Sequence, residues 1–568
     1  MANPATMILK NGTVLTLDSQ DTVAEAVALS GDRILAVGRN ADIEAMSDGT
    51  QTIDLKGRTV IPGLIDGHAH MDREGLKDRL PSLAGARKVD DILQIVEAEV
   101  KKAQSGDWIV TMPIGDPPQY WNVPDCLAEG RVPNRHDLDQ VSPDNPVYIR
   151  AIWGHWRNTL PLVSVANTAA LQAAGITRDT VPPIETITIE KDDNGDPSGV
   201  IVEQNYKPIV EHTLMAVVPR FLLNDRVTGL QRSMQSYNAY GTTSVYEGHG
   251  INAEVLAAYR QMRDAGPLPV RSHLVYSPAW TSTDIDDVRA LLNSWATWLS
   301  GKGLGDDYLR VGGLFTEPVQ NRENSLRAQT CPYAGWAGFN FNCELPEDVM
   351  VDMMIDAARN GIRIAAIGMD TLPYFERVNK AVPIADQRWT IVHVGVIDAD
   401  QIRRIQDCGL VLTALTKRYV HDDGEKLRAE LGDAKANTFL PLRDLVDAGV
   451  HIALATDNTP PSMFETVWHA TARRTREGNL LAPEQALTPM EALACASREG
   501  AWLSFEENQK GTIESGKLAD LAVLSDDPLT ADEKTLRAIT ADLTITGGEI
   551  VYDRAADGPP RPGGSGPT

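Results

Sequence analysis

The 568-residue sequence predicts an α/β protein. Its centre reads as a (β/α)8 TIM-type barrel, with a small β-sandwich built from both chain ends and an inserted lid subdomain. Three observations predict this. Eight short apolar runs, at 60–65, 242–246, 267–275, 309–315, 362–367, 389–394, 409–414 and 451–456, are mostly separated by helical patterns such as 347–360 and 399–408. Strand-like segments stand at both chain ends, each too short to make a stable sheet alone. The stretch holding the eight runs is far longer than the roughly 250 residues a barrel needs, and the excess lies between the first and second runs.

The elements follow in order. Strand-like runs over 7–10, 13–17, 26–29 and 33–38 are punctuated by Asn11-Gly12 and Gly31-Asp32, dipeptides that tolerate the positive φ of tight turns. Matching runs at 517–524 and 543–552 close the chain, the second folded at Gly547-Gly548. Residues 1–58 with 508–555 are therefore assigned to the sandwich, and 59–74 with 236–507 to the barrel. The block 75–235 carries its own signals, with strands near 107–112 and 146–150 and a helix over 167–174. It is assigned as a lid over the C-terminal face of the barrel, where barrel active sites lie. The Gly- and Pro-rich stretch 556–568 reads as a disordered tail.

Bulk composition narrows the function. A hydrophobic content of 42% and a charged content of 23% are ordinary for a soluble globular protein. A formal charge of −25 argues against a polyanionic partner, whether nucleic acid or an anionic membrane. The five Cys show no CxxC spacing, so neither a disulfide framework nor a zinc ribbon is expected. No basic-then-apolar leader and no long uncharged apolar run is present, and a cytoplasmic protein is the default.

Chemistry concentrates in three phrases. In 58–70, Arg-Thr-Val-Ile-Pro-Gly-Leu-Ile-Asp-Gly-His-Ala-His, a buried strand leads into His68 and His70. Residues two apart in a strand face one side, so both imidazoles can reach one metal ion. In Ile452-Ala-Leu-Ala-Thr-Asp457-Asn, an Asp ends an apolar strand, which is costly unless its charge is paired or metal-bound. A helix N-cap is the plainer reading of Asp457. In Trp389-Thr-Ile-Val-His393-Val-Gly, a His ends another such strand, where a core histidine is the plainer reading.

These phrases resemble the amidohydrolase superfamily, and most closely its family 3 branch, which includes N-substituted formamide deformylase. The resemblance implies a metal-dependent hydrolase of small-molecule, non-peptide C–N bonds: an amide, formamide, carbamate or cyclic imide, attacked by metal-activated water. It makes His68, His70, Asp457 and His393 the metal ligands. Asp457 also takes the proton of the water, and His393 either ligates the metal or polarises the carbonyl. The chain departs from the branch twice. Ala365 stands where the fifth strand carries a metal-binding His, and Gly313 stands near the place of a bridging fourth-strand Lys. A single metal per chain follows, zinc first, with manganese or iron as alternatives. Glu247, His249, His273 and Glu317 are candidates for a further ligand or for substrate contact. His155, Trp156 and Lys417 are candidate substrate contacts, with Trp153 and Arg418 beside them. The expected partner is a small molecule, and the default assembly a homodimer. A deaminase, or a degenerate barrel acting as a binding protein or lyase, is the alternative.

Overall fold

Eight parallel strands, neighbours in space in the order they occur in the chain, make up a sheet that a short antiparallel strand, Leu304–Gly305, extends to nine. They are β1 (Leu64–Asp66), β2 (Thr242–Ile251), β3 (Arg271–Tyr276), β4 (Leu309–Thr316), β5 (Ile364–Ile367), β6 (Thr390–Val394), β7 (Val411–Ala414) and β8 (Ile452–Leu454). This computed structural model describes residues 4–560 except 48–49, 118, 158, 318–321, 331–332, 334 and 340–344, and the backbone alone at His155 and Arg157. β8 returns to β1 through Gly67 N–H, which donates to Leu454 O at 2.9 Å, and Asp457 N–H, which donates to His68 O at 3.0 Å. The barrel is thus nearly closed. Gly67 permits that approach, because a Cβ there would sit 2.6 Å from Ala453 Cβ. Both faces of these strands are covered, which is why they read as continuous apolar runs.

The crossover helices start and stop where local chemistry dictates. Ala399–Asp407 begins at Asp398, whose carboxylate accepts Gln401 N–H at 2.8 Å while the Gln401 side chain accepts Asp398 N–H at 2.9 Å. Glu347–Arg359 carries Glu347 and Asp348 in its first turn and Arg359 in its last, matching the helix dipole.

The single strand expected over 60–65 is two strands in two sheets. Thr59–Pro62 pairs with Leu521–Leu524 and with Thr13–Leu15, whereas Leu64–Asp66 pairs with β2. Pro62-Gly63 marks the crossing: Gly63 N–H donates to Asp520 O, and Leu64 N–H donates to Gly241 O. The chain ends contribute a four-stranded and a six-stranded sheet. Residues from both, among them Leu9, Val27, Val60, Leu521 and Ile545, share one buried cluster.

Between β1 and β2 a five-stranded sheet carries its own core. Its helix Thr168–Ala173 is capped by Asn167, whose side chain accepts Ala170 N–H at 3.0 Å and Val147 N–H at 2.8 Å. At the C-terminus, Arg554–Asp557 forms one helical turn, so the start of the expected disordered tail has regular structure, and 561–568 lie outside the described residues. Among the described residues, no helix is long and apolar enough to cross a membrane.

Candidate metal centre

The ends of β1, β2, β6 and β8 converge at one mouth of the barrel. His68 and His70 follow β1, His249 lies near the end of β2, His393 is in β6, and Asp457 follows β8. His68 Nε2 lies 3.0 Å from His393 Nε2, and His70 Nε2 lies 3.0 Å from Asp457 Oδ1. His68, His70 and Asp457 form one group whose donor atoms all lie within 4.8 Å, and His68, His249 and His393 form another.

The backbone is bent to present these groups. His393 has φ +59°, Asp457 +52° and Asn458 +50°. Non-glycine residues in this left-handed region carry strain, which collects at functional sites. Tyr419 OH donates to His393 O at 3.0 Å and braces that turn.

A buried carboxylate braces the other side. Asp66 Oδ1 accepts His68 N–H at 3.0 Å and Thr456 N–H at 3.1 Å, and Oδ2 accepts the Thr456 hydroxyl. Asn458 N–H in turn donates to Thr456 Oγ1 at 3.0 Å, and its side-chain amide donates to Glu74 at 2.9 Å.

The imidazoles are poised neutral. Burial lowers the His68 pKa to about 4, against the opposing charge of Asp457. Burial also holds His249 and His393 well below the ordinary histidine value. Neutral imidazole is the form that ligates a metal. His68 Nδ1 and both ring nitrogens of His249 are buried without a hydrogen-bond partner among the described residues. Neutral nitrogens converging on one another, beside a carboxylate, fit a divalent cation.

A second shell surrounds them. Glu247 accepts Met71 N–H at 2.9 Å and Tyr259 OH at 2.7 Å, and its other oxygen lies 3.8 Å from His70 Nδ1. His70, Asp72 and Glu247 form a further tight group, fully buried. Burial raises Asp72 to about 6 and holds Glu247 well above the carboxylate range, the Asp72 charge adding to the latter.

Other sequence candidates fall elsewhere. His273 is inside the barrel but outside these groups, with Nε2 2.6 Å from Arg363 Nη2, and serves the core. Glu317 Oε1 lies 4.0 Å from His249 Nε2, and its other oxygen lies 3.9 Å from Lys207 Nζ. Lys417 is paired with Asp422, and Arg418 with Asp423 at 3.4 Å, while both line a small cavity beside Asp457. Trp156 is buried edge-on against Trp336 at 5.4 Å, with Lys77 over its ring, so it is a core residue of the insertion. The His155 side chain lies outside the described residues.

The position expected at Gly313 also moves. Gly313 has φ +83°, and a Cβ there would meet Arg363 Cγ at 2.8 Å, so no lysine fits. The β4 residue beside the cluster is Phe315, 4.7 Å from the His249 ring. Sequence reasoning passed over Asp72 and the bracing role of Asp66. The run Asp72-Arg73-Glu74 directly after the two histidines, buried throughout, is the signal that points to them.

Comparison with known proteins agrees with this architecture. Residues 51–552 match the model of the Amidohydrolase family. The chain is 27% identical over 569 residues to N-substituted formamide deformylase from Arthrobacter pascens, an alignment covering 96% of this chain and 98% of that protein. A metal-dependent hydrolase from Pyrococcus horikoshii superposes with a TM-score of 0.66 at 19% identity, covering 93% of this chain and 99% of the other. Zinc-complexed atrazine chlorohydrolase TrzN from Arthrobacter aurescens superposes at 0.50 and 16% identity, covering 98% of this chain and 96% of the other. These likenesses share the nearly closed parallel barrel, which here carries a histidine- and aspartate-lined mouth. The chain belongs to the amidohydrolase family.

Proposed function

We propose that this amidohydrolase cleaves a non-peptide C–N bond of a small molecule: an amide, formamide, carbamate or cyclic imide. The observation that carries the reading is the meeting of His68, His70, His393 and Asp457 at the barrel mouth, in two pairs each 3.0 Å apart. Those four residues would hold one divalent ion, zinc first, with manganese or iron also suited to such donors. When bound, the ion polarises a carbonyl and lowers the pKa of a water.

The chain's own groups do the rest. Asp457 accepts the proton of the attacking water and returns it to the departing nitrogen, the work of a positioned carboxylate. Its backbone N–H, tied to His68 O, fixes it beside the imidazoles. His393, neutral through burial, keeps a ring lone pair free for the divalent ion. The insertion acts as a lid that keeps bulk water out, with Trp153 packed edge-on against Phe339. The two terminal sheets act as the supporting sandwich. The small cavity beside Asp457 is lined by Lys417 and Arg418. Its two cations are already paired, so a neutral small molecule suits it better than an acidic one. The formamide deformylase relative supports the substrate class, and the formal charge of −25 supports a small-molecule partner over nucleic acid or a membrane.

A panel of N-alkyl and N-aryl formamides, amides, carbamates and cyclic imides tests the reading. Wild type turns over at least one class. Asp457→Asn, compared with wild type at full metal loading, loses about 10²–10⁴-fold in kcat, the span of general acid–base catalysis. Full turnover by Asp457→Asn removes that residue from proton transfer.

A further inference from the structure

We propose that His249 is a ligand of the metal centre and supplies, from β2, the imidazole that β5 lacks. This rests on the metal-dependent reading above. Position comes first. The His249 ring centroid lies 5.8 Å from that of His68, 5.5 Å from that of His70 and 5.7 Å from that of His393, so the ring sits beside all three. A donor nitrogen of His249 lies within 4.8 Å of donors on His68 and His393.

Satisfaction comes second. Both His249 ring nitrogens are buried without a hydrogen-bond partner among the described residues. Leaving such a group unpaired costs about 1–3 kcal/mol, and a ligated cation removes that cost.

Support comes third. The ring stacks on Phe339 at 4.3 Å and lies against Phe315 at 4.7 Å. These apolar contacts fix its direction and use neither nitrogen. Glu317 Oε1 lies 4.0 Å from His249 Nε2, a charge contact longer than a hydrogen bond.

The strand itself is shaped for this. In a regular strand Glu247 and His249 would face one side together. The pairing of β2 with β3 shifts register between Glu247 and Ile251, and Gly250 takes φ +80°. The irregularity lets Glu247 turn to Met71 N–H and Tyr259 while His249 turns to the cluster. On β5 the methyl of Ala365 stops within the apolar plug shared with Tyr246, Val275 and Phe315.

The test is metal affinity of the full-length protein, stripped with a chelator and titrated with zinc against a chromophoric competitor. His249→Gln keeps polarity and volume, and His249→Phe keeps the aromatic packing. Both should bind zinc at least about 100-fold more weakly, beyond the loss typical of second-shell changes. The visible absorption of the cobalt-loaded protein should shift in both. Affinity within about threefold of wild type, with an unchanged cobalt spectrum, overturns the assignment, being too small for a lost ligand. Should both variants fail to fold, judged by thermal melts without metal, cobalt-loaded wild type still decides. Hyperfine-shifted N–H resonances from four histidines support the assignment, and resonances from three without His249 overturn it. A wild type that takes up no metal overturns the amidohydrolase reading as well, so the two failures are distinct.

Discussion

Asp66 shows how a single buried carboxylate arranges this centre. It accepts backbone N–H groups from both His68 and Thr456, and so ties the end of β1 to the end of β8. Burial raises its pKa from 3.8 to about 6, against the hydrogen bonds that favour its charge. A folded-state value above the unfolded one means that folding takes up protons between those two pH values. The stability from this group is fully present below pH 3.8 and is lost as pH rises through about 6. Asp66→Asn keeps an acceptor for both N–H groups and cannot ionise. In metal-free protein, its unfolding free energy relative to wild type should therefore improve steadily from pH 4 to 7, by on the order of 2–3 kcal/mol. A difference that does not change with pH contradicts this account.

At the scale of elements, what the sequence discloses is uneven, for physical reasons. Barrel strands covered on both faces leave unmistakable apolar runs, and the turns at Gly31-Asp32 and Gly547-Gly548 lie between paired strands. The split of 60–65 between two sheets is less legible, because both halves are equally apolar and only Pro62-Gly63 marks the crossing. His273 and His249 look alike as isolated histidines near strand ends. His273 pairs with Tyr246, three residues short of His249 on β2, so register sets the two histidines at different depths. The nearness of His249 to the cluster depends on a register shift in β2 that no periodicity predicts. Closure of the barrel rests on Gly67, where a Cβ would come 2.9 Å from Leu454 O as well as against Ala453. Gly67→Ala should destabilise the fold by about 1–3 kcal/mol, the cost of forcing extra volume into a packed core. It should also weaken zinc binding, since His68 is the next residue. An unchanged thermal midpoint would show that β1 and β8 are not held this closely.

Across the whole molecule, residues almost four hundred positions apart meet at one mouth because the barrel brings its last strand back to its first. The resemblance read from three short phrases extends over residues 51–552 as family membership, and the parallel barrel follows it. The insertion is where sequence reasoning thins. Its interior holds charged groups, such as Arg150 facing Glu211 at 3.4 Å, which give no apolar pattern to follow. Trp156 reads as a substrate wall from sequence, yet packs into this interior. The account stands on His68, His70, His393 and Asp457 holding a divalent ion, and diffraction from crystals of zinc-supplemented protein, recorded across the zinc absorption edge, tests that most directly. It predicts one anomalous peak per chain, between those four side chains, that disappears in His68→Ala. A peak elsewhere, or none after zinc supplementation, would contradict it.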